Sequence, residues 1–206
     1  MELGAPLRDV SRETIDRLEH YQSLLLKWTD KINLIAPSTI STSWERHVVD
    51  SAQIFQLLSS GSTKLTDIGS GGGLPGIVVA ILAKEKMPLL QSVLVESDQR
   101  KAVFLRTVVR ELGLSVSVKA DRIENVTETG ADVLTARALA PLPKLLSYAV
   151  QLLKPDGIAL FQKGRTFEDE ISEARDAWDF SIDLYPSHTD QEARILQIKD
   201  IRRATK

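Results

Sequence analysis

The sequence predicts an α/β fold built on a doubly wound, mostly parallel sheet. From residue 64 onward, short apolar runs alternate with segments of helical periodicity. Such alternation implies right-handed β–α–β crossovers and therefore a parallel sheet. A glycine-rich loop follows the first run, at the place where a doubly wound sheet binds its ligands. The last two runs have no helix between them, so they should form a hairpin in which one strand runs antiparallel.

The chain is predicted to divide near residue 60. Residues 1–60 form a helical extension packed on the core, and residues 61–206 form the main domain. With 206 residues, the chain is long enough to bury a full apolar core. Within the extension, residues 11–29 place apolar side chains near one face of a helix, and Ser11 is suited to be its N-cap.

A second helix of the extension is predicted after a loop. Pro37 and the Ser/Thr-rich stretch that follows it are typical of a loop. Thr42 and Glu45 have the spacing of a capping box, which would start a helix that runs through about Leu58. Gly61 occupies the position that usually terminates a helix.

Strands and helices alternate through the main domain. The predicted strands are Lys64–Ile68, Ser92–Glu96, Ser115–Ala120, Ala131–Ala136, Gly157–Gln162, Phe180–Tyr185 and Ala193–Lys199. The predicted helices are Gly76–Lys84, one from the N-cap Asp98 to Gly113, one from Pro141 to about Leu153, and one from a Thr166–Asp169 capping box to about Trp178. This is the layout of the class I S-adenosylmethionine-dependent methyltransferase fold, a Rossmann-like doubly wound sheet with one antiparallel strand.

Composition excludes several kinds of chemistry. The chain has no cysteine, so it has no disulfide, no cysteine-ligated metal and no thiol nucleophile. It has 26 basic and 28 acidic residues, and the formal net charge of −2 argues against a strongly basic nucleic-acid-binding domain. A nucleic-acid partner would have to be recognised through a local patch or as a folded target. Because the chain has no cysteine, we expect a cytoplasmic protein, and no apolar run reaches membrane-spanning length.

The strongest motif is the loop Asp67–Gly76, which follows a strand and opens a helix. Gly69, Gly71 and Gly73 after an acidic residue fit the S-adenosylmethionine pattern, while the spacing of the later glycines fits a dinucleotide site. Glu96, at the end of the second strand, fits both, because its carboxylate would hold two ribose hydroxyls. A structural alternative is that the glycines only form a tight turn and that Glu96 caps the next helix.

Other features favour S-adenosylmethionine over a nicotinamide or a nucleotide. The serine–tyrosine–lysine triad of hydride-transferring enzymes is missing, and no Gly-Lys-Ser/Thr of a P-loop follows the glycines. A dehydrogenase of this size would also have little room for a substrate domain. The third strand is followed by Asp121–Glu124, at the place where methyltransferases surround adenine.

The residues after the fourth strand restrict the methyl acceptor. The stretch Thr135–Pro141 lacks the Asn or Asp acceptor with which enzymes methylate exocyclic amines. Methylation of pyrimidine carbon 5 needs a cysteine nucleophile, which this chain lacks. A ring nitrogen with a free lone pair, such as guanine N7, remains, and it needs alignment rather than a general base. Arg137 would orient that acceptor, hold the cofactor, or form an ordinary ion pair at the sheet edge.

Six segments carry a similarity to a known family: Trp28–Ala36, Arg46–Ser51, the loop Asp67–Gly76, Arg122–Glu124, Ala136–Ala138 and Gln162–Gly164. On these segments, the chain resembles the RsmG (GidB) family of bacterial ribosomal RNA guanine-N7 methyltransferases over nearly its whole length. The departures are mild. The family usually has Asp where this chain has Glu96, and its Leu-Thr-Ala and Leu-Asp-Ser are Leu34–Ala36 and Val49–Ser51 here.

The resemblance implies methyl transfer from S-adenosylmethionine to N7 of a guanine in the decoding-region loop of bacterial 16S rRNA, with S-adenosylhomocysteine as product. Together with the loop pattern, it makes the candidate cofactor-binding residues Gly69, Gly71, Gly73, Leu74, Glu96, Ile123, Glu124 and Arg137. The candidate RNA-binding residues are Arg46, His47, Lys163, Arg202 and Arg203, with Lys206 at the end of the tail. We predict no general base and no metal site.

Alternatives stay open for several of these residues. Arg46 and His47 would lie at the mouth of the cleft, against RNA phosphate or the surroundings of the cofactor. Alternatively, Arg46 pairs with Asp50 one helical turn away, and His47 packs locally. His20 and His188 have no partners at metal-ligand spacing, so both are expected to be surface or packing residues.

Two other functions also stay open: methylation of a small molecule or a protein, and a non-catalytic cofactor-binding module that recognises folded RNA. A near-neutral chain fits 16S rRNA presented by the small subunit or an assembly intermediate, because the particle supplies shape. It fits sequence-independent binding of naked RNA poorly. The chain is expected to be a monomer without membrane contact.

Overall fold

The computed structural model of the chain describes residues 5–127 and 130–205. Within these residues, seven strands form one sheet in the order β3-β2-β1-β4-β5-β7-β6. The strands are β1 Lys64–Ile68, β2 Gln91–Val95, β3 Val116–Lys119, β4 Ala131–Arg137, β5 Leu153–Lys163, β6 Trp178–Pro186 and β7 Arg194–Arg203. β7 runs antiparallel to β5 and β6, while the pairs from β3 to β5 are parallel. The predicted sheet with one antiparallel strand is confirmed.

Helices cover both faces of this sheet. They are α1 Arg12–Thr29, α2 Asp50–Ala52, α3 Gly76–Lys86, α4 Gln99–Leu112, α5 Leu142–Leu152 and α6 Phe167–Arg175. Right-handed crossovers place α3 and α4 on the face opposite to α5, because α5 links strands in the other direction along the sheet. One apolar cluster accordingly joins α1, α3 and α4, and a second joins α5 and α6 to the strands. No helix of the described residues is both long and apolar enough to cross a membrane.

Three predicted helix ends, at Ser11, Asp98 and Gly113, are confirmed. The Ser11 side chain accepts from the N–H of Thr14 and caps α1. The Asp98 carboxylate accepts from the N–H groups of Arg100 and Lys101 in the first turn of α4. Gly113 ends α4 in the left-handed region at φ 56°, which a residue without Cβ adopts at little cost.

The start of the second helical segment differs from the prediction. This segment is π-helical over Trp44–Val49, α-helical over Asp50–Ala52 and 3₁₀-helical over Gln53–Leu57. The capping box of Thr42 and Glu45 is wrong, because Ser43 precedes the segment in a helical conformation without a side-chain cap. The chain is already helical here, since the Arg46 N–H donates to the Thr42 carbonyl at 2.9 Å. Single π turns of this kind occur often at functional sites.

Two further helix boundaries differ from expectation. Leu58 follows the second helical segment in an extended conformation, so Gly61 does not terminate that segment. The expected capping box of Thr166 and Asp169 also does not form. Thr166 makes no side-chain cap, and its hydroxyl instead lies 3.5 Å from the carboxylate of Glu170, one turn further along α6.

The N-terminal helix α1 is tied directly to the glycine loop. Tyr21 is fully buried, and its hydroxyl donates to the Gly72 carbonyl at 2.7 Å. Leu25, one turn along α1, packs so close that a Cβ on Gly72 would lie 2.9 Å from its Cδ1. Helix α1 therefore shares the apolar cluster of α3 and α4, and its contacts reach the loop at the end of β1.

We predict that Tyr21→Phe lowers the free energy of unfolding by about 1–3 kcal/mol, because it leaves the buried Gly72 carbonyl without its donor. Urea denaturation followed by circular dichroism measures this change. Tyr185→Phe, on β6, is the matched control and should leave the unfolding midpoint close to that of the wild type. Equal midpoints for the two variants would contradict a stabilising role of the Tyr21 hydroxyl.

Candidate functional site

Two clefts open at the carboxyl ends of the parallel strands. They lie where β1 and β4 are adjacent, and the connections that follow these two strands run in opposite directions along the sheet. The glycine-loop cleft has a volume of about 730 Å³ and is lined in part by Gly69, Gly71, Glu96, Ile123, Glu124 and Tyr148. The Arg137 cleft has a volume of about 580 Å³ and is lined in part by Arg46, His47, Asp50, Arg137, Gln162 and Lys163. Ala138 and Leu139 line both clefts, so the two meet at the segment that follows β4. This is the switch point at which a doubly wound sheet binds ligands.

Gly71 is the glycine of the loop that faces open space in the cleft. Its φ is 54°, and a Cβ added there would have no neighbour closer than the Gly69 carbonyl oxygen at 3.8 Å. By contrast, a Cβ on Gly69 would lie 2.5 Å from Leu139 Cδ1. A ligand can therefore approach the backbone at Gly71, and a side chain there would occupy the ligand's space.

Glu96 connects the glycine loop to the start of α4. Its carboxylate accepts from the Gly71 N–H through Oε2 and from the Asp98 N–H through Oε1, each at 2.8 Å. The side chain is 8% exposed and lines the glycine-loop cleft. The structural alternative is thus partly realised, since Glu96 does bond to the N-cap residue of α4. Each carboxylate oxygen has a second lone pair, so the group retains the capacity to accept from a ligand hydroxyl.

Asp67 lies fully buried at the end of β1, below the glycine loop. The Thr135 hydroxyl donates to its Oδ1 at 2.7 Å, while Oδ2 has no hydrogen-bond partner among the described residues. Burial raises the pKa of the Asp67 carboxyl to about 6, although the Thr135 hydrogen bond acts in the opposite direction.

The far end of the glycine-loop cleft contains Ile123, Glu124 and Tyr148. Ile123 is buried, and the Tyr148 hydroxyl donates to Glu124 Oε1 at 2.6 Å. This hydrogen bond holds the pKa of the Glu124 carboxyl below its usual value. Sequence reasoning missed Tyr148, because on α5 it occupies a position that the helical pattern assigns to the apolar face.

Three candidate cofactor residues do not reach this cleft: Arg137 lines the other cleft, and Gly73 and Leu74 line neither. A Cβ on Gly73 would lie 2.4 Å from Ile77 Cγ1, so this glycine is needed for packing against α3. Leu74 is 5% exposed and belongs to the apolar cluster of α1, α3 and α4. Neither residue is among those that line the two clefts. The reason is local: the chain turns inward after Gly71 to begin α3, and its next side chains enter the core.

Arg137, at the end of β4, lies in the second cleft and is held by three acceptors. One guanidinium nitrogen, Nη1, donates to Asp50 Oδ2 and to the Arg46 carbonyl oxygen, each at 3.2 Å. The other, Nη2, is 3.1 Å from His47 Nδ1. Arg137 is therefore an ion-pair partner, as one alternative expected, and that pair lines the cleft beside the glycine loop.

Asp50 joins the elements around this cleft. Besides Arg137, its carboxylate accepts from Gln162 Nε2 on Oδ2 at 2.8 Å and from the Thr189 hydroxyl on Oδ1 at 2.8 Å. These donors come from the end of β5 and from the connection between β6 and β7. Sequence reasoning named Asp50 only as a possible surface partner of Arg46, although Asp50 and Gln162 both lie in segments that carry the family resemblance.

His47 is buried in the wall of this cleft and is uncharged at neutral pH. Burial and the neighbouring Arg137 lower the pKa of its imidazole to about 4. Because Nδ1 accepts from Arg137, the ring proton lies on Nε2, which donates to the Thr39 hydroxyl at 2.8 Å. That hydroxyl donates in turn to the Ala36 carbonyl at 2.8 Å. Both ring nitrogens are thus engaged, so His47 packs locally, as one alternative expected.

The candidate RNA-binding residues near the cleft are also paired. Arg46 lies 3.0 Å from Asp190, so the alternative pairing with Asp50 does not form. Lys163 donates to Glu170 at 2.6 Å and to the Ala140 carbonyl at 2.7 Å, and its side chain is only 10% exposed. Both cations line the Arg137 cleft, but each already has a carboxylate partner there.

The tail arginines lie at the other end of β7. Arg202 pairs with Asp179 at 3.3 Å, and the Arg203 guanidinium is 3.9 Å from the centre of the Trp178 ring. β7 begins beside the cleft at Arg194, so these residues lie about 25–30 Å away from it at strand spacing. The structure does not bring them to either cleft, and Lys206 lies outside the described residues.

Ala138 adopts a backbone conformation that is unusual for a residue with a side chain. Its φ is 51°, in the left-handed region, where residues other than glycine are strained. This conformation occurs directly after β4, at the junction of the two clefts, and such strained residues cluster at functional sites. Sequence reasoning could not find it, since alanine carries no signal for a positive φ.

The structure shows no metal-binding cluster among residues 5–127 and 130–205. No group of three or more His, Asp or Glu side chains there is arranged to hold a metal ion. His20 lies 3.4 Å from Glu111 on the surface, and its side chain is half exposed.

We predict that the His47 environment makes the fold less stable in mild acid. Its folded-state pKa of about 4 lies below the ordinary 6.5, so the unfolded chain binds the proton more readily. The resulting stability is complete above pH 6.5 and is lost as the pH falls toward 4. Denaturant unfolding between about pH 7 and pH 4.5 should therefore show a steeper loss for the wild type than for His47→Gln.

Asp67 contributes the opposite slope, because its raised pKa stabilises the protonated fold as the pH falls through about 6. It is present in both proteins, so the difference between their two curves isolates His47. Parallel curves would contradict the lowered pKa of His47.

Relatives of known name match nearly the whole chain. The family model described as GidB, rRNA small subunit methyltransferase G, matches residues 14–195. Two proteins named Ribosomal RNA small subunit methyltransferase G, from Cereibacter sphaeroides and Rhodospirillum centenum, are 51% and 48% identical over 191 and 192 residues. The alignments cover 93% of this chain in both cases, and 93% and 87% of the two relatives.

Solved structures share the fold at much lower identity. Mitomycin 7-O-methyltransferase MmcR is 16% identical with a TM-score of 0.62, over 93% of this chain and 68% of that one. An O-methyltransferase from Bacillus cereus, in complex with SAH, is 14% identical with a TM-score of 0.59, over 94% of both chains. The class I methyltransferase fold is thereby confirmed. Because the family model matches most of the chain and close relatives match nearly all of it, the chain belongs to the GidB family, rRNA small subunit methyltransferase G.

Proposed function

We propose that this protein transfers a methyl group from S-adenosylmethionine to N7 of a guanine in the decoding-region loop of 16S ribosomal RNA. The observation that carries the proposal is the junction of two clefts at Ala138 and Leu139 in a member of the GidB family. One cleft has the acidic side chain and open glycine backbone that suit the donor. The other has the buried cation that suits an electron-rich base.

The residues of the glycine-loop cleft fit S-adenosylmethionine. The open backbone at Gly71 is a space that a Cβ would fill, and Glu96 retains acceptor capacity for ribose hydroxyls. Ile123 and Glu124 lie at the other end, where the apolar and polar edges of adenine need both kinds of contact. When bound, the sulfonium of this cofactor supplies an electrophilic methyl group, and S-adenosylhomocysteine is the product.

The acceptor is proposed to be guanine N7, because the Arg137 cleft supplies donors while its carboxylates, Asp50, Glu170 and Asp190, are each paired with a cation. N7 carries a lone pair and no proton, so methylation requires alignment rather than proton removal. His47 is neutral, and both of its ring nitrogens are engaged. Arg137 carries N–H groups that match O6, the acceptor beside N7 on the same edge of guanine. In this mechanism Arg137 exchanges part of its present bonding for the base and holds the ring in line with the methyl group.

The substrate is proposed to be the small ribosomal subunit or an assembly intermediate, with the protein acting as a cytoplasmic monomer. The cleft cations Arg46, Arg137 and Lys163 are each paired with a carboxylate, and the net charge of the chain is −2. A protein of this kind gains little from unspecific phosphate contacts. It needs a target of defined shape, such as an RNA loop presented by a particle.

Mass mapping of 16S rRNA tests the proposal directly. RNA from cells with the gene, without it, and complemented by Arg137→Ala is digested and compared for 7-methylguanine in the decoding-region loop. The modification should be present with the gene, disappear without it, and be reduced in the strain complemented by Arg137→Ala. Identical maps in all three strains would overturn the RNA substrate and favour a small-molecule or protein acceptor, or a non-catalytic module.

We predict that Glu96→Ala weakens binding of S-adenosylhomocysteine by about 1–3 kcal/mol, because two hydroxyl acceptors are lost. Isothermal titration calorimetry measures the change, and Glu96→Gln, which keeps one oxygen, should lie between the variant and the wild type. An unchanged affinity together with a large drop in melting temperature would show that Glu96 serves only to connect Gly71 to Asp98. Tight binding of NAD without any binding of S-adenosylhomocysteine would overturn the donor itself.

We predict that the single-turnover rate of methyl transfer is nearly flat over roughly pH 6.5–8.5, because no protein base removes a proton. Rapid-quench transfer on small-subunit particles measures this rate. His47→Ala should leave the flat profile intact at saturating substrate, and Arg137→Ala should lower the rate without adding a new pKa. A tenfold rise in rate per pH unit below neutrality that is lost in His47→Ala would point to an acceptor that carries a proton.

A further inference from the structure

Tyr148 lies in the glycine-loop cleft but outside the segments that carry the family resemblance. We propose that Tyr148 is a positioning residue for the adenine of the cofactor. Its hydroxyl holds the Glu124 carboxylate where that group accepts a hydrogen bond from the exocyclic amine of the base. This inference rests on the proposed function, because it assumes that the cleft binds S-adenosylmethionine.

The geometry gives Tyr148 a firm hold on Glu124. Tyr148 is 7% exposed and packs in the apolar cluster of α5 and α6, so its ring is fixed by the core. Its hydroxyl donates to Glu124 Oε1 at 2.6 Å. Lys144, one turn earlier on α5, lies 3.5 Å from the same oxygen and 4.7 Å from the centre of the Tyr148 ring. A helix thus supplies two groups that fix one carboxylate oxygen.

Glu124 needs such support because it is not held by its own surroundings. Its side chain is 54% exposed and follows β3 in a single short turn, Ile123–Asn125. A glutamate so exposed would otherwise sample several rotamers, and ordering it on ligand binding would cost free energy. Because Tyr148 holds the carboxylate in the folded protein, the side-chain entropy of Glu124 is lost on folding rather than on ligand binding. The carboxylate is therefore oriented before the ligand arrives.

Four carboxylates line the cleft, and two of them serve their own turns, since Asp98 caps α4 and Asp121 accepts from Arg122 and Asn125. We therefore assign the ligand to Glu96 and Glu124, and the adenine to Glu124. An ionised carboxylate only accepts hydrogen bonds, and the exocyclic amine is the only donor group on the adenine base. Glu96 follows β2 and Glu124 lies beyond the adjacent β3, so an elongated ligand along the cleft meets them in succession. With Glu96 at the ribose hydroxyls, Glu124 and the apolar Ile123 come next, at the base.

Calorimetry with two ligands tests the proposal. S-adenosylhomocysteine has the exocyclic amine, whereas S-inosylhomocysteine has a carbonyl oxygen at that position. Tyr148→Phe keeps the ring and removes only the hydroxyl, so it should weaken binding of S-adenosylhomocysteine by roughly 3- to 10-fold. Its affinity for S-inosylhomocysteine should not fall below that of the wild type, because the carbonyl oxygen at that position has no proton to donate to Glu124.

Two controls separate positioning from a structural effect. Tyr185→Phe, on β6, should leave both affinities unchanged. The double variant Tyr148→Phe/Glu124→Ala should bind S-adenosylhomocysteine no more weakly than Glu124→Ala alone, because Tyr148 acts through Glu124. Additive losses, equal losses for both ligands, or no loss in Tyr148→Phe would each overturn the inference. These results are distinct from failure of the proposed function, which would appear as absence of S-adenosylhomocysteine binding by the wild type.

Discussion

The carboxylate of Asp50 is the interaction on which the second cleft depends. It lies on α2 and accepts from Arg137 at the end of β4, from Gln162 at the end of β5 and from Thr189 before β7. These donors come from three separate parts of the sheet, and one largely buried acceptor keeps them together. The π turn ahead of α2 gives the helical segment an unusual path, so that Arg46, His47 and Asp50 all reach the cleft. Replacing Asp50 by an apolar residue would therefore leave several buried donors without a partner.

The glycine loop is shaped in the same way by contacts from outside it. Tyr21 on α1 binds the Gly72 carbonyl, and Glu96 binds the Gly71 N–H. The N-terminal helix and the residue that follows the second strand therefore fix backbone groups of two consecutive loop residues. A division of the chain at residue 60 stays a prediction, but the Tyr21 contact shows that α1 and the loop are stabilised together. The loop is preorganised by the core, which lowers the entropic cost of binding a ligand there.

The sequence was sufficient to predict the sheet, the order of helices and strands along the chain, and the acidic residues at the two ends of the glycine-loop cleft. Hydrophobic periodicity, capping residues and glycine spacing are local signals in the sequence. Asp98, Gly113 and Glu96 were predicted from such signals. The wrong predictions at Thr42, Gly61 and Thr166 also came from local signals, because each residue type suits a helix cap. At Thr42 the chain is already helical, at Gly61 the helical segment has already ended, and Thr166 makes no side-chain cap. The role of Tyr148 depends instead on a side chain distant in sequence, namely Glu124. Such pairings leave no mark on the spacing of a single chain.

The pairing of charges in the Arg137 cleft explains how a near-neutral protein can discriminate among RNA targets under the proposed function. Each cleft cation that meets a phosphate or a base must first loosen a carboxylate partner, as Arg137 must loosen Asp50. One contact with a phosphate offsets little of this free-energy cost, because an exposed ion pair contributes about 0–1 kcal/mol. A target that presents several groups at once offsets it, because all the exchanges then occur in one binding event. The neutral His47 adds to this selectivity, since it stabilises Arg137 as an acceptor without adding a positive charge that would attract any RNA.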